Sequence, residues 1–189
     1  MAKNYRPIPI PQGVQLKASP TQVEVKGKLG ALSIAVVHGL EVKSDGKAVT
    51  VTALSPAARV MVGTTRAHIN NALAGVTAGF EKVMQVRGMG YRVQKTKDGI
   101  QIQCGYSHPV DIVAPKGITF DVAQVPNPDD TKQQMFEVSV KGSDRQAVGE
   151  VAARMRTVKP PEPYQGKGIR YRTEHIKKKA GKRAVATQA

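Results

Sequence analysis

The amino-acid sequence predicts an α+β protein of two similar domains from an internal duplication, each a small antiparallel sheet packed against a helix, with a basic extended C-terminal tail. Three observations carry this expectation. Short alternating apolar segments fall into two groups, an amphipathic stretch closes each group, and positive charge accumulates at the end of the chain. The expected boundaries are residues 1–81 for the first repeat, 82–159 for the second and 160–189 for the tail.

In the first repeat, VEVKG (23–27), ALSIAV (31–36) and AVTVT (48–52) alternate apolar and polar residues, as strands with one buried face do. Gly30 and the SDG of 44–46 supply turns. RVMVGTTRAHINNALAGV (59–76) then changes period: Val62, Ile69, Leu73 and Val76, with Thr65 and Ala72 between, recur at steps of three and four and mark a helix. The join between repeats is expected near GFEKV (79–83), and the glycines of RGMGYRV (87–93) serve a tight turn or bulge where the second repeat begins. YRVQK (91–95), GIQIQC (99–104), PVDIV (109–113), ITFDV (118–122) and FEVSV (136–140) alternate as strands. SDRQAVGEVAARMRTV (143–158) closes the group as a helix, with Ala147, Val148, Val151, Ala152, Met155 and Val158 on one face.

The duplication also rests on two local matches. KGKLG (26–30) aligns with KTKDG (95–99) at an offset of 69, and RVMVGTTRAHI (59–69) with RQAVGEVAARM (145–155) at an offset of 86. The growth in offset predicts an insertion in the second copy, assigned to an exposed loop around QVPNPDDTK (124–132).

Charge points to a polyanion. Lys+Arg 29 against Asp+Glu 14 gives +15 and a pI near 10.1. From Arg154 to Ala189 there are eleven basic and two acidic residues, which leaves +6 for residues 1–153. Within that basic end, PPEPYQGKGIRY (160–171) has no apolar periodicity, and its prolines exclude helix and central strand. Tyr164 and Tyr171 can stack on bases or ribose, Lys167 and Arg170 supply charge, and Gly166 and Gly168 let a backbone come close. The alternative is a flexible tether. As an extended tail the segment is expected to bury little core, so substitution there should leave stability unchanged. Arg154 and Arg156 flank the apolar stripe of the second helix and either point toward the tail or form a solvated helix end favoured by the dipole. The candidate RNA-binding residues are these, together with Lys141, Lys159, Arg172, Lys177, Lys178 and Lys179.

SHPV (107–110), VKGSDRQAVGEVAARMR (140–156) and PEPYQGKGIRY (161–171), with GVTAGFEKVMQVRGMGYR (75–92), resemble the bacterial-type family of protein six of the large ribosomal subunit. The resemblance covers nearly the whole chain. It implies a duplicated α+β fold, binding to large-subunit rRNA through the second domain and tail, neighbouring ribosomal proteins as partners, and a place near the sarcin-ricin loop where translation factors dock. The lysine-rich extension past Arg172 fits the family pattern less closely.

Other chemistries find little support. Cys104, the single cysteine, lies on the face of IQIQC that carries Ile100 and Ile102, where a small thiol packs well, and His108 four residues later belongs to a turn. His38, His68, His108 and His175 have no metal-ligand spacing. GKG (166–168) lacks the frame of a phosphate loop, and RGMGYRV has valine where a dinucleotide fingerprint needs glycine. No cofactor, metal, small-molecule substrate or catalytic residue is expected. MAKNYRPIPIPQG has no apolar h-region, ALSIAVVHGL (31–40) is too short to span a bilayer, and one cysteine suits a reducing cytoplasm. The expected function is therefore structural, in the cytoplasmic ribosome. The alternatives are a free-standing RNA- or DNA-binding module, a cysteine-dependent enzyme, and a basic protein adsorbed to anionic membrane.

Overall fold

The computed structural model describes residues 6–127 and 130–181. The chain divides into two units, one built from the residues up to Phe80 together with Gly142–Arg145, the other from Glu81–Lys141 and the chain from Gln146 onward.

In the first unit, β1 (Ile8–Pro9), β2 (Gln15–Ala18), β3 (Gln22–Gly27), β4 (Gly30–Ala35), β5 (Leu40–Ser44) and β6 (Ala48–Ala53) precede a 3-10 turn at Ala57–Val60 and the helix α1 (Met61–Thr77). They form two three-stranded antiparallel sheets, β2-β3-β4 and β1-β6-β5. Val25 lies opposite Leu16 on one side and Leu32 on the other, so three apolar side chains share a row. The helix lays Val62, Thr65, Ile69, Leu73 and Val76 against β3, β4 and β6. Val23, Val25, Val49, Ile69 and Val76 are fully buried, each contributing about 1.5–3 kcal/mol of transfer free energy.

The second unit repeats the order and then extends it. β7 (Phe80–Arg87), β8 (Arg92–Lys95), β9 (Gly99–Gln103), β10 (Val110–Val113), β11 (Ile118–Asn127) and β12 (Asp130–Gly142) lead into α2 (Arg145–Val158). A last strand, β13 (Gly168–Tyr171), follows the helix. The sheets are β8-β9-β10 and β11-β12-β7-β13. Ile100, Ile102, Cys104, Val138, Val140, Ala152, Met155 and Ile169 fill the core without exposure.

The two units part between Phe80 and Glu81, within GFEKV (79–83), and residues 80–87 form β7, an interior strand that β12 and β13 flank. The near-continuous run of buried residues in β7, Met84 to Arg87, hides the period-two signal of a half-buried strand. Two expectations are corrected. The region around QVPNPDDTK is not a loop, since residues up to Asn127 lie in β11 and residues from Asp130 in β12. The second copy is enlarged there by a long hairpin, and Pro126 sits on the terminal strand of its sheet, where a missing N–H is tolerated. Finally, KGKLG leaves the central strand β3 whereas KTKDG enters the central strand β9, so that match is one strand out of step. The helix match stands: Val62, Thr65 and Ile69 are buried in α1 as Val148, Val151 and Met155 are in α2.

Candidate RNA-binding surface

The end of the second unit is built from its backbone outward. After α2, Pro160, Pro161 and Pro163 carry the chain into a compact loop in which Glu162 N–H donates to Lys167 C=O at 2.8 Å and Gly166 N–H donates to Glu162 C=O at 3.1 Å. Gly166 closes the loop at φ +73, a left-handed conformation that glycine adopts without a Cβ penalty. The chain then pairs antiparallel with β7, Ile169 opposite Val86 and Arg170 opposite Gln85. On its far side Ile169 N–H donates to Lys159 C=O at 2.7 Å, so the segment just before the loop covers part of the strand edge.

The expected extended tail is thus corrected for residues 168–171. Ile169 is fully buried, and a Cβ on Gly168 would lie 2.7 Å from both the Pro160 carbonyl oxygen and the Pro161 Cα. Gly166 and Gly168 are both buried, and the close approach at Gly168 is to the chain's own backbone. Stability therefore depends on this segment. Its partner strand lies some eighty residues earlier, beyond the reach of any local pattern.

The basic run after β13 is also held. Arg172 N–H donates to Val83 C=O at 3.0 Å, and Lys179 N–H donates to Pro163 C=O at 2.8 Å, which folds residues 177–179 back beside the loop. Lys178 Cε lies 3.6 Å from the position a Cβ on Gly166 would take. Exposed Lys177, Lys178, Lys179 and Arg172, half-buried Lys167 and the Tyr164 ring, 54% exposed, consequently cluster at this end of the unit.

The other candidate residues are engaged internally. Arg156 grips Glu174 with two bonds, Nη2 to Oε1 at 2.7 Å and Nε to Oε2 at 3.1 Å, and Tyr171 N–H donates to the same Oε2 at 3.2 Å. The Arg156 bonds, foremost, hold the Glu174 carboxyl below the usual carboxylate range. Arg154 pairs with Glu150 one turn earlier in the helix. Lys141 bonds Asp121 at 2.9 Å and lies 3.7 Å from Glu81; the bond to Asp121 raises the ammonium and lowers the carboxyl. Arg170 Nε donates to Gln85 Oε1 at 3.3 Å, and buried Arg87 reaches the same oxygen at 3.0 Å. Tyr171 is half-buried at the strand end.

Two side chains escaped the sequence reading. Glu174 is an isolated acid among basic residues, and that isolation was the available signal. Tyr106 donates its hydroxyl to Val158 C=O at 2.8 Å while the Lys159 ammonium sits 4.8 Å from its ring centroid. Cys104 is fully buried, and burial pushes its thiol up, away from the thiolate a nucleophile needs. Among the described residues no group of three His, Cys, Asp or Glu side chains could hold a metal ion, and no helix is long and apolar enough to cross a membrane.

The family model described as Ribosomal protein L6 matches twice, at residues 10–79 and 87–172, so each unit corresponds to one copy and β13 falls inside the second. The chain is 45% identical over 172 residues to the large ribosomal subunit protein uL6 of Polaromonas naphthalenivorans, covering 90% of this chain and 92% of that one. It is 43% identical over 185 residues to the protein of the same name from Hahella chejuensis, covering 97% and 98%, and 46% identical over 181 residues to that of a Cyanothece strain, covering 94% and 95%. Two family matches in tandem and this near-complete coverage establish that the chain belongs to the bacterial-type ribosomal protein L6 family, whose members are structural proteins and not enzymes.

Proposed function

We propose that this chain is a structural constituent of the large ribosomal subunit in the cytoplasm, and that it binds large-subunit rRNA through the end of its second unit. The observation that carries this is the bond from Lys179 N–H to Pro163 C=O, which gathers the loop lysine and the terminal lysines into one surface with an exposed tyrosine. Lysines neutralise phosphates with little regard to sequence, while a ring on a fixed loop offers a stacking face to an unpaired base. Lys167, Arg172, Lys177, Lys178 and Lys179 supply charge, Tyr164 supplies the stacking face, and Lys159, whose carbonyl accepts from Ile169 N–H, lies just before the loop, while Arg154 is paired with Glu150 on α2. Gly166, Gly168, Arg170 and Tyr171 act by shaping the surface, and Lys141 neutralises neighbouring carboxylates. The family resemblance supports a position near the sarcin-ricin loop, beside neighbouring ribosomal proteins.

Hydroxyl-radical footprinting of large-subunit rRNA with and without the full chain tests the proposal. Protection confined to a few helices that include the sarcin-ricin region supports it. Uniform weak protection would favour a general RNA-binding module.

A further inference from the structure

One acidic side chain sits where charge alone would forbid it. Glu174 is one of two acids among the residues from Arg154 onward, in the part of the chain assigned above to a polyanion. Its carboxylate accepts from Arg156 on α2 and from the Tyr171 N–H at the end of β13, and its own N–H donates to Tyr171 C=O at 3.0 Å. Helix, strand and basic run therefore meet at one carboxylate. Five residues later the Lys179 N–H is tied to Pro163, so the stretch that carries Lys177 and Lys178 is fastened on both sides.

A lysine in a freely moving tail neutralises phosphate but must be ordered at each encounter, which costs side-chain and backbone entropy. Fastening the stretch in the free protein removes that cost in advance. We propose that Glu174, through Arg156, is a positioning residue that aims Lys177–Lys179 at structured rRNA, so that a negative charge strengthens binding to a polyanion. The inference rests on the rRNA-binding reading above.

Opposite charge changes test it. Glu174→Gln raises the net charge by one and Arg156→Gln lowers it by one, yet each breaks the same pair. Affinities of the full chain and both variants are measured across salt, for a large-subunit rRNA transcript carrying the sarcin-ricin loop and for unstructured poly(U), at a temperature where melting curves show all three folded. Both variants should lose about three- to tenfold on the transcript, with no matching loss on poly(U). Tighter transcript binding by Glu174→Gln would overturn the inference, as would equal losses on both RNAs. If the parent chain itself shows no preference for the transcript, the rRNA reading falls first.

Discussion

The two units run the same course through six strands and a helix and part company only afterwards. Past α1 the first unit's course closes at Ala78 and Gly79, whose N–H groups donate back to Ala74 and Gly75. Past α2 the second continues through a proline loop into β13 and then into a fastened basic run. Charge separates them less than expected. The +6 assigned to residues 1–153 lies wholly in residues 1–80, while residues 81–153 carry nine basic and nine acidic side chains. What sets the second unit apart is an added strand that holds its cations in a defined place.

That contrast can be broken most severely at β13. Ile169→Ala should cost the second unit about 2–5 kcal/mol, because a fully buried side chain is removed from the sheet that β13 completes. Thermal or denaturant melts check it, and an unchanged midpoint would mean the strand does not contribute to the folded unit.

A sharper comparison pairs two glycines of nearly equal φ. Gly168 at +135 has the Pro160–Pro161 backbone 2.7 Å from a would-be Cβ, whereas Gly30 at +134, in the first unit, has nothing within 4 Å. Alanine at either position meets a positive φ of nearly the same size. The excess loss at Gly168, expected at about 1–3 kcal/mol, isolates the clash. Equal losses in melts would show that the backbone there gives way.

The acid side of the pair carries a pH signature. The Glu174 carboxyl is held below its ordinary value, so its stabilisation is present above the unfolded value and is lost as pH falls through the lower, folded one. Compared with the Glu174→Gln variant, the parent's stability advantage should therefore shrink below about pH 4. An advantage that persisted in acid would assign it to packing. At the smallest end stands Lys141→Met, which removes a cation already bonded to exposed Asp121; rRNA affinity should hold within about twofold.

How much of this could be read from residues alone depends on distance along the chain. The helices and the alternating strands were legible because their signal is local: Val148, Val151 and Met155 repeat within one segment, and Val23 and Val25 alternate within another. β13 was not, since Ile169 is a lone apolar residue among glycine, arginine and tyrosine and its partner Val86 is far earlier in sequence. The same holds for the candidate surface. Composition located the cations, but it could not distinguish Lys179, which docks by its backbone, from Arg156, whose charge Glu174 meets. Glycine was recognised as marking close approach at 168, and only the fold identified Pro160 and Pro161 as what it approaches.

Two charge-matched triple variants of the full chain test the central contrast most directly. One replaces Lys177, Lys178 and Lys179 with alanine; the other replaces Lys17, Lys26 and Lys28, three exposed lysines of the first unit. Affinity for a large-subunit rRNA transcript is measured against salt concentration. The expected result is that the first triple flattens the slope of log K against log salt by about 2–3, at roughly 0.9 for each phosphate no longer neutralised, while the second leaves it unchanged. Equal slopes for the two triples, or a larger change from the first-unit set, would contradict the assignment of the rRNA surface to the end of the second unit.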